Sequence, residues 1–167
     1  MKYLLCGFMG SGKSTLLEKF KIKSEGYKFY DLDDEILHLH GQDFETLGEF
    51  IEARGFDHFR RMETETLESF LGKDEPMVMA LGGGAISGVN LSKIKQSEQA
   101  KLVFLDTPFE ICFERISGDA NRPLVKLGKE KLLELYQERL ALYKCADIQI
   151  KTEMMETLTS PSQLEEC

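Results

Sequence analysis

Gly7-Phe8-Met9-Gly10-Ser11-Gly12-Lys13-Ser14 fits the phosphate-loop pattern G-x-x-x-x-G-K-[ST] at every fixed position. The apolar run Tyr3-Leu4-Leu5-Cys6 precedes it as a buried strand, and Thr15-Leu16-Leu17-Glu18-Lys19-Phe20 follows with helical character. Glycines let the backbone wrap with its N–H groups inward, and a helix N-terminus adds partial positive charge where phosphates would sit. Gly10, Ser11, Gly12, Lys13, Ser14 and Thr15 are therefore the expected triphosphate cradle. Lys13 reaches for the β- and γ-phosphates, and the Ser14 hydroxyl is a ligand for Mg²⁺. A glycine turn that binds nothing is the bland alternative, and the strand–loop–helix context argues against it.

With 167 residues and 42% hydrophobic content, the chain suits a single domain, residues 1–167, with a core of its own. No apolar stretch approaches the length of a membrane span, and the N-terminus reads as strand and loop rather than signal peptide. Cys6, Cys112, Cys145 and Cys167 are scattered without a C-x-x-C pair. Reduced thiols in a cytoplasmic protein are expected, rather than a zinc site or a disulfide framework. A net charge of −8 argues against a nucleic-acid footprint. It also repels ATP, so local cations must do the attracting, and the place of each arginine becomes informative.

Strand-like runs recur at 3–6, 27–30, 77–81, 101–105 and 147–150. Helical segments at 13–22, 33–40, 43–71, 91–96, 108–116 and 129–144 separate them. This alternation predicts an α/β fold, a five-stranded parallel sheet flanked by helices, with ligands beyond the carboxyl ends of the strands. Gly118-Asp119-Ala120-Asn121-Arg122-Pro123 punctuates two helices and suits a flap, within a lid at about 112–126. Beyond Lys151 the pattern weakens, and the tail at about 153–167 reads equally as frayed chain or a short last helix.

Three further stretches carry chemistry. Asp31-Leu32-Asp33-Asp34 follows the second strand, so Asp31 can face Mg²⁺ and Asp33 an acceptor hydroxyl. The competing role is capping, with Asp33 or Asp34 as N-cap or first-turn acid, and Asp34 is assigned to it. Phe59-Arg60-Arg61-Met62-Glu63 lies in an amphipathic helix, where the bland alternatives are a solvated face for the arginine pair and an ordinary i,i+3 ion pair of Arg60 with Glu63. Leu81-Gly82-Gly83-Gly84-Ala85 directly follows a strand, and three glycines permit close approach of a ligand to backbone N–H donors.

Together with Arg122-Pro123-Leu124 and Arg139-Leu140-Ala141-Leu142-Tyr143, these stretches occur in an order and spacing that resembles shikimate kinase over about residues 2–152. The resemblance implies a P-loop kinase of the nucleoside-monophosphate-kinase-like fold, with a substrate-binding segment at about 31–63 and a lid. It implies transfer of the ATP γ-phosphate to the 3-hydroxyl of shikimate, with Mg²⁺ as cofactor. Lys13 would hold phosphates, and Ser14 and Asp31 the metal. Asp33 would contact the acceptor hydroxyls. Arg60, Arg139 and the Gly82, Gly83 and Gly84 backbone would bind the carboxylate. Arg122 would close onto the transferring group, making Lys13, Asp33 and Arg122 the catalytic set, and Arg115 would stack on adenine. A monomer is expected, with no nucleic-acid or membrane partner.

Three positions depart from the family pattern: Phe56 stands in place of a glutamate, Ala141 of a proline and Ile51 of a phenylalanine. None is a charged ligand, so the departures bear on packing and KM more than on the reaction. A gluconate or nucleoside-monophosphate kinase is the nearest rival. The carboxylate-binding fork and glycine turn suit it less well. A GTPase-like regulatory switch would read guanine through Asn-Lys-x-Asp, a tetrapeptide the chain lacks.

Overall fold

A computed structural model of the chain describes residues 1–118 and 123–167. Strands β1 (Lys2–Cys6), β2 (Lys28–Asp31), β3 (Met77–Ala80), β4 (Ala100–Asp106) and β5 (Ile148–Lys151) form one sheet in the order β2-β3-β1-β4-β5. Every pairing is parallel, with Leu4 of β1 level with Met79 of β3 and Leu102 of β4. Helices α1 (Lys13–Lys23), α2 (Leu32–His40), α3 (Leu47–Arg54), α4 (Phe56–Leu71), α5 (Gly88–Gln96), α6 (Phe109–Ile116), α7 (Lys129–Tyr143) and α8 (Thr152–Thr157) surround it. Among the described residues no helix is long and apolar enough to cross a membrane.

Continuous apolar strands are needed here because both faces of the sheet are covered. Alternate residues point to opposite sides. Tyr3, Leu5, Val78, Ala80, Val103 and Leu105 pack beneath Leu16, Leu17 and Phe20 of α1. Leu4, Cys6, Met77, Met79, Leu102 and Phe104 face a larger core built from α2, α4, α5, α6 and α7. The central strand β1 lies wholly inside, and its carboxyl end opens straight into the phosphate loop. The strand order reverses at β1, the place where parallel sheets open a crevice for ligands.

All five expected strands are present, with ends shifted by a residue or two. The single helix expected over 43–71 is two, α3 and α4, because Gly55 takes φ 85° between them. An amphipathic pattern runs through both, so the break leaves no trace in periodicity. The tail is helical rather than frayed: α8 is followed by a 3₁₀ turn at Pro161–Glu166, closed by a capping box between Ser160 and Gln163. Leu158 and Leu164 are buried under the sheet, and Glu165 accepts from the Tyr3 hydroxyl at 2.6 Å and pairs with Lys101. The expected lid begins on α6 and ends in a 3₁₀ turn at Pro123–Leu127. Its Arg122 lies outside the described residues.

Candidate active site

The turns after β1, β2 and β3 come together around a cleft of about 340 Å³, lined by Lys13, Ser14, Asp31, Asp33, Gly82 and Arg115 among others. A more open cavity of about 390 Å³, at Lys2, Lys73 and Gln99, lies at the other end of the sheet and holds none of these groups.

The phosphate loop is tightly held. Gly10 has φ 79°, and a Cβ there would meet the Cys112 carbonyl at 2.6 Å, so only glycine fits. Lys13 Nζ donates to the Gly7 and Phe8 carbonyls at 2.8 and 3.0 Å, which parks the ammonium across the loop mouth. Arg115 donates from Nη1 to the Gly10 carbonyl at 3.0 Å, and stands 3.8 Å from where a Cβ of Gly12 would be. Met155 Sδ stands at the same distance from that point. Thr107, fully buried after β4, donates to the Ser11 carbonyl at 3.0 Å and accepts from Thr152 at 3.2 Å. The loop is thus tied to β4 and β5 as well as to its own helix.

Asp31 ends β2 and caps α2, its Oδ1 accepting from the Asp33 N–H at 3.0 Å. The cap is therefore Asp31, rather than Asp33 or Asp34; Asp34 is an exposed acid of the first turn, as expected. Burial, and then the Asp34 charge, raise the Asp31 carboxyl above the usual range, against its backbone hydrogen bonds and Lys13. Asp33 projects from the same turn over Gly82, where a Cβ would lie 2.9 Å from its Oδ1. That oxygen is buried and has no hydrogen-bond partner among the described residues. Burial, Asp31 and Glu63 push the Asp33 carboxyl up to about 6, against Lys13 and Arg60.

Arg60 on α4 and Arg139 on α7 converge on the glycine turn. A Cβ on Gly84 would collide with Arg60 Nη2 and stand 3.0 Å from Arg139 Nη2. The expected i,i+3 pair of Arg60 is present. Its Nη1 is gripped by both oxygens of the buried Glu63, at 2.8 and 2.7 Å, while Nη2 is turned to the glycines. The Arg60 guanidinium also lies 5.1 Å from the centre of the Phe59 ring. Burial outweighs Arg60 in setting the Glu63 carboxyl, which is raised. Two guanidiniums that converge on one glycine turn present the kind of donor array that suits a planar carboxylate.

Residues that sequence reasoning passed over include Thr107 and Asn90. Asn90 is buried on α5, where Nδ2 donates to the Ala85 carbonyl at 2.7 Å. A lone polar residue in an amphipathic helix gives no signal by itself. Thr107 lies directly after a buried strand, the one position from which it was legible. The departures from the family pattern are mild: Phe56 is exposed and edge-on to Phe59, Ile51 packs on the core, and Ala141 faces solvent.

A family model described as shikimate kinase matches residues 9–163. The shikimate kinase of Persephonella marina is 38% identical over 149 residues, 89% of this chain and 87% of that protein. That of Aquifex aeolicus is 34% identical, covering 92% and 88%. The solved structure of the Acinetobacter baumannii shikimate kinase in complex with shikimate superposes with a TM-score of 0.82 at 30% identity, covering 99% of this chain and 92% of that one. This chain belongs to the shikimate kinase family and is an enzyme that phosphorylates shikimate with ATP.

Proposed function

We propose that each ligand is held by its own turn at the carboxyl edge of the sheet. ATP lies on Gly10–Thr15, with Lys13 turning from the loop carbonyls to the phosphates and Arg115 against adenine. Shikimate presents its carboxylate to Arg60, Arg139 and the backbone of Gly82–Gly84, and its 3-hydroxyl to Asp33. The observation that carries the reading is the convergence of two guanidiniums on Gly84 beside the Asp33 oxygen over Gly82, which has no hydrogen-bond partner among the described residues.

Ser14 and Asp31 fit Mg²⁺: both offer hard oxygen, and crowding among Asp31, Asp33 and Asp34 is what a divalent charge relieves. When bound, the ion neutralises phosphate charge. The chain's own residues do the rest. Phosphoryl transfer passes through a loose transition state, so placement and electrostatics dominate. Asp33 orients the hydroxyl first and accepts its proton second. Arg122 keeps the role expected from the resemblance, charge on the transferring group from the lid. We read the enzyme as a cytoplasmic monomer without nucleic-acid or membrane partners, in keeping with its net charge of −8.

Arg139→Ala tests the carboxylate assignment. A charge-assisted pair contributes ~1.5–3 kcal/mol, so shikimate affinity should fall roughly ten- to more than a hundredfold with ATP affinity nearly intact. Arg60→Ala should do the same, but it also strands the buried Glu63, so it is paired with Arg60→Ala/Glu63→Gln. Calorimetric titration of both ligands reads the result. Parental shikimate affinity in every variant would refute the assignment.

A further inference from the structure

Each arm of the fork has a hydroxyl one turn further along its own helix, and each hydroxyl runs to a carbonyl of the same glycine turn. On α7, Tyr143 stands four residues after Arg139, and its phenol donates to the Gly83 carbonyl. On α4, Thr64 stands four residues after Arg60. Its hydroxyl donates to Asn90 Oδ1 at 2.8 Å, and Asn90 Nδ2 donates in turn to the Ala85 carbonyl at 2.7 Å. Residues i and i+4 share a helix face, so each hydroxyl and its arginine address the turn together.

We infer that Tyr143 and the Thr64–Asn90 relay are positioning residues that set the distance between the two guanidiniums and the Gly82–Gly84 backbone. Their environment supports this. Tyr143 and Asn90 are each 1% exposed, and Tyr143 stacks on Phe104 of β4 with ring centres 5.4 Å apart. The turn is closed from within by Ala85 N–H to the Gly82 carbonyl at 3.0 Å, and from α5 by Ser87 N–H to the Ala85 carbonyl at 3.1 Å. Ser87 Oγ also accepts from the Asn90 backbone N–H at 3.2 Å, which anchors the residue whose side chain carries the relay. Two carbonyls of the turn, Gly83 and Ala85, are thereby occupied on the protein side. A bidentate receptor depends on such spacing, and a small misplacement by groups remote from the chemistry is costly.

The inference rests on the carboxylate reading above, and the experiment separates the two. Tyr143→Phe and Thr64→Val remove one hydroxyl each with little change of shape, and Thr64→Ser restores the donor. For Tyr143→Phe and Thr64→Val, KM for shikimate should rise roughly five- to a hundred-and-fiftyfold, the range for leaving a buried hydrogen-bonding group unpaired. The turnover number at saturation and the affinity for ATP should stay near the parental values, and Thr64→Ser should return KM to normal. In an Arg139→Ala background, Tyr143→Phe should add little, since the arm it positions is gone. Parental KM in both single variants, while Arg139→Ala still loses shikimate, would overturn the positioning role alone. Parental affinity in Arg139→Ala would overturn the carboxylate reading beneath it. A parallel loss of both ligands with a falling melting temperature, unrescued by Thr64→Ser, would reduce the relay to a packing role and sink the inference.

Discussion

Burial and two neighbouring carboxylates, Asp31 and Glu63, push the Asp33 carboxyl up to about 6, against the opposing pull of Lys13 and Arg60. The fold therefore works against the ionised form of the acid that the proposed reaction would use. An acid whose pKa is raised on folding favours the folded state when protonated. That contribution is whole below the ordinary value of 3.8 and is lost as pH rises through about 6. In metal-free buffer, Asp33→Asn should be more stable than the parent at pH 7, and the gap should narrow as pH falls towards 4. Urea denaturation at each pH unit reads this directly. A gap that stayed constant, or widened on acidification, would mean that Asp33 is not held against its charge. The same variant should lose about 10²–10⁴ in turnover, the range for an acid–base group, so the cost in stability and the gain in activity reside in one side chain. The place of Asp33 in the cleft was legible from its position two residues after a strand-end acid. Its elevated pKa was not, because the burial that chiefly raises it, and Glu63, come from elements distant in the chain.

The proposed function divides the ligands between two glycine turns, one after β1 and one after β3. Each turn rejects a methyl group for a different reason. At Gly10 the backbone φ of 79° and the Cys112 carbonyl of α6 exclude a side chain, so Gly10→Ala distorts the loop that receives ATP. At Gly84 the obstruction is the pair of guanidinium tips from Arg60 and Arg139, and a Cβ would push the receptor open. Gly84→Ala should raise KM for shikimate at least about tenfold with ATP affinity within about twofold, since one mispositioned charged pair is worth that much. Gly10→Ala should weaken ATP instead and leave shikimate binding close to normal. Titration of each ligand against each variant forms a two-by-two comparison. Both variants losing the same ligand would break the division of labour. At this scale the sequence was informative wherever a buried strand ran straight into unusual residues, as at Cys6–Gly7, Asp31 and Leu81–Gly82. It was silent at Gly55, where the apolar stripe of α3 continues into α4, and at Asn90, whose partners Thr64 and Ala85 come from elsewhere in the chain.

At the scale of the whole molecule, Lys13, Arg60, Arg115 and Arg139 gather at one edge of the sheet, and on the proposed reading this local positive charge is what lets a chain of net charge −8 receive two anionic ligands. The same edge depends on chain far from it in sequence. Thr152 reaches the phosphate loop through Thr107, and Lys19 of α1 donates to the last carbonyls of α8, at 3.1 Å to Met155 and 2.6 Å to Glu156. The tail beyond is held by apolar contact, and its sequence, Leu158-Thr159-Ser160-Pro161-Ser162-Gln163-Leu164, offers two leucines too sparse to show a period. That sparseness is why frayed chain and short helix read alike. In the structure Leu164 is fully buried against the face of the sheet that also holds Tyr3, Leu5 and Val103. Removing such a side chain costs its transfer energy and leaves a cavity, so Leu164→Ala should destabilise the protein by ~2–5 kcal/mol. For a domain of this size that is a fall in melting temperature of roughly 4–20 °C. A frayed tail would answer within about 0.5 kcal/mol, as exposed positions do. Urea unfolding followed by circular dichroism distinguishes the two, with Leu39→Ala as the exposed control on α2. Because α8 and Thr152 precede the truncated side chain, the folded fraction of Leu164→Ala should keep its affinity for shikimate. Any loss should appear first in ATP, through the loop that Thr107 and Thr152 hold.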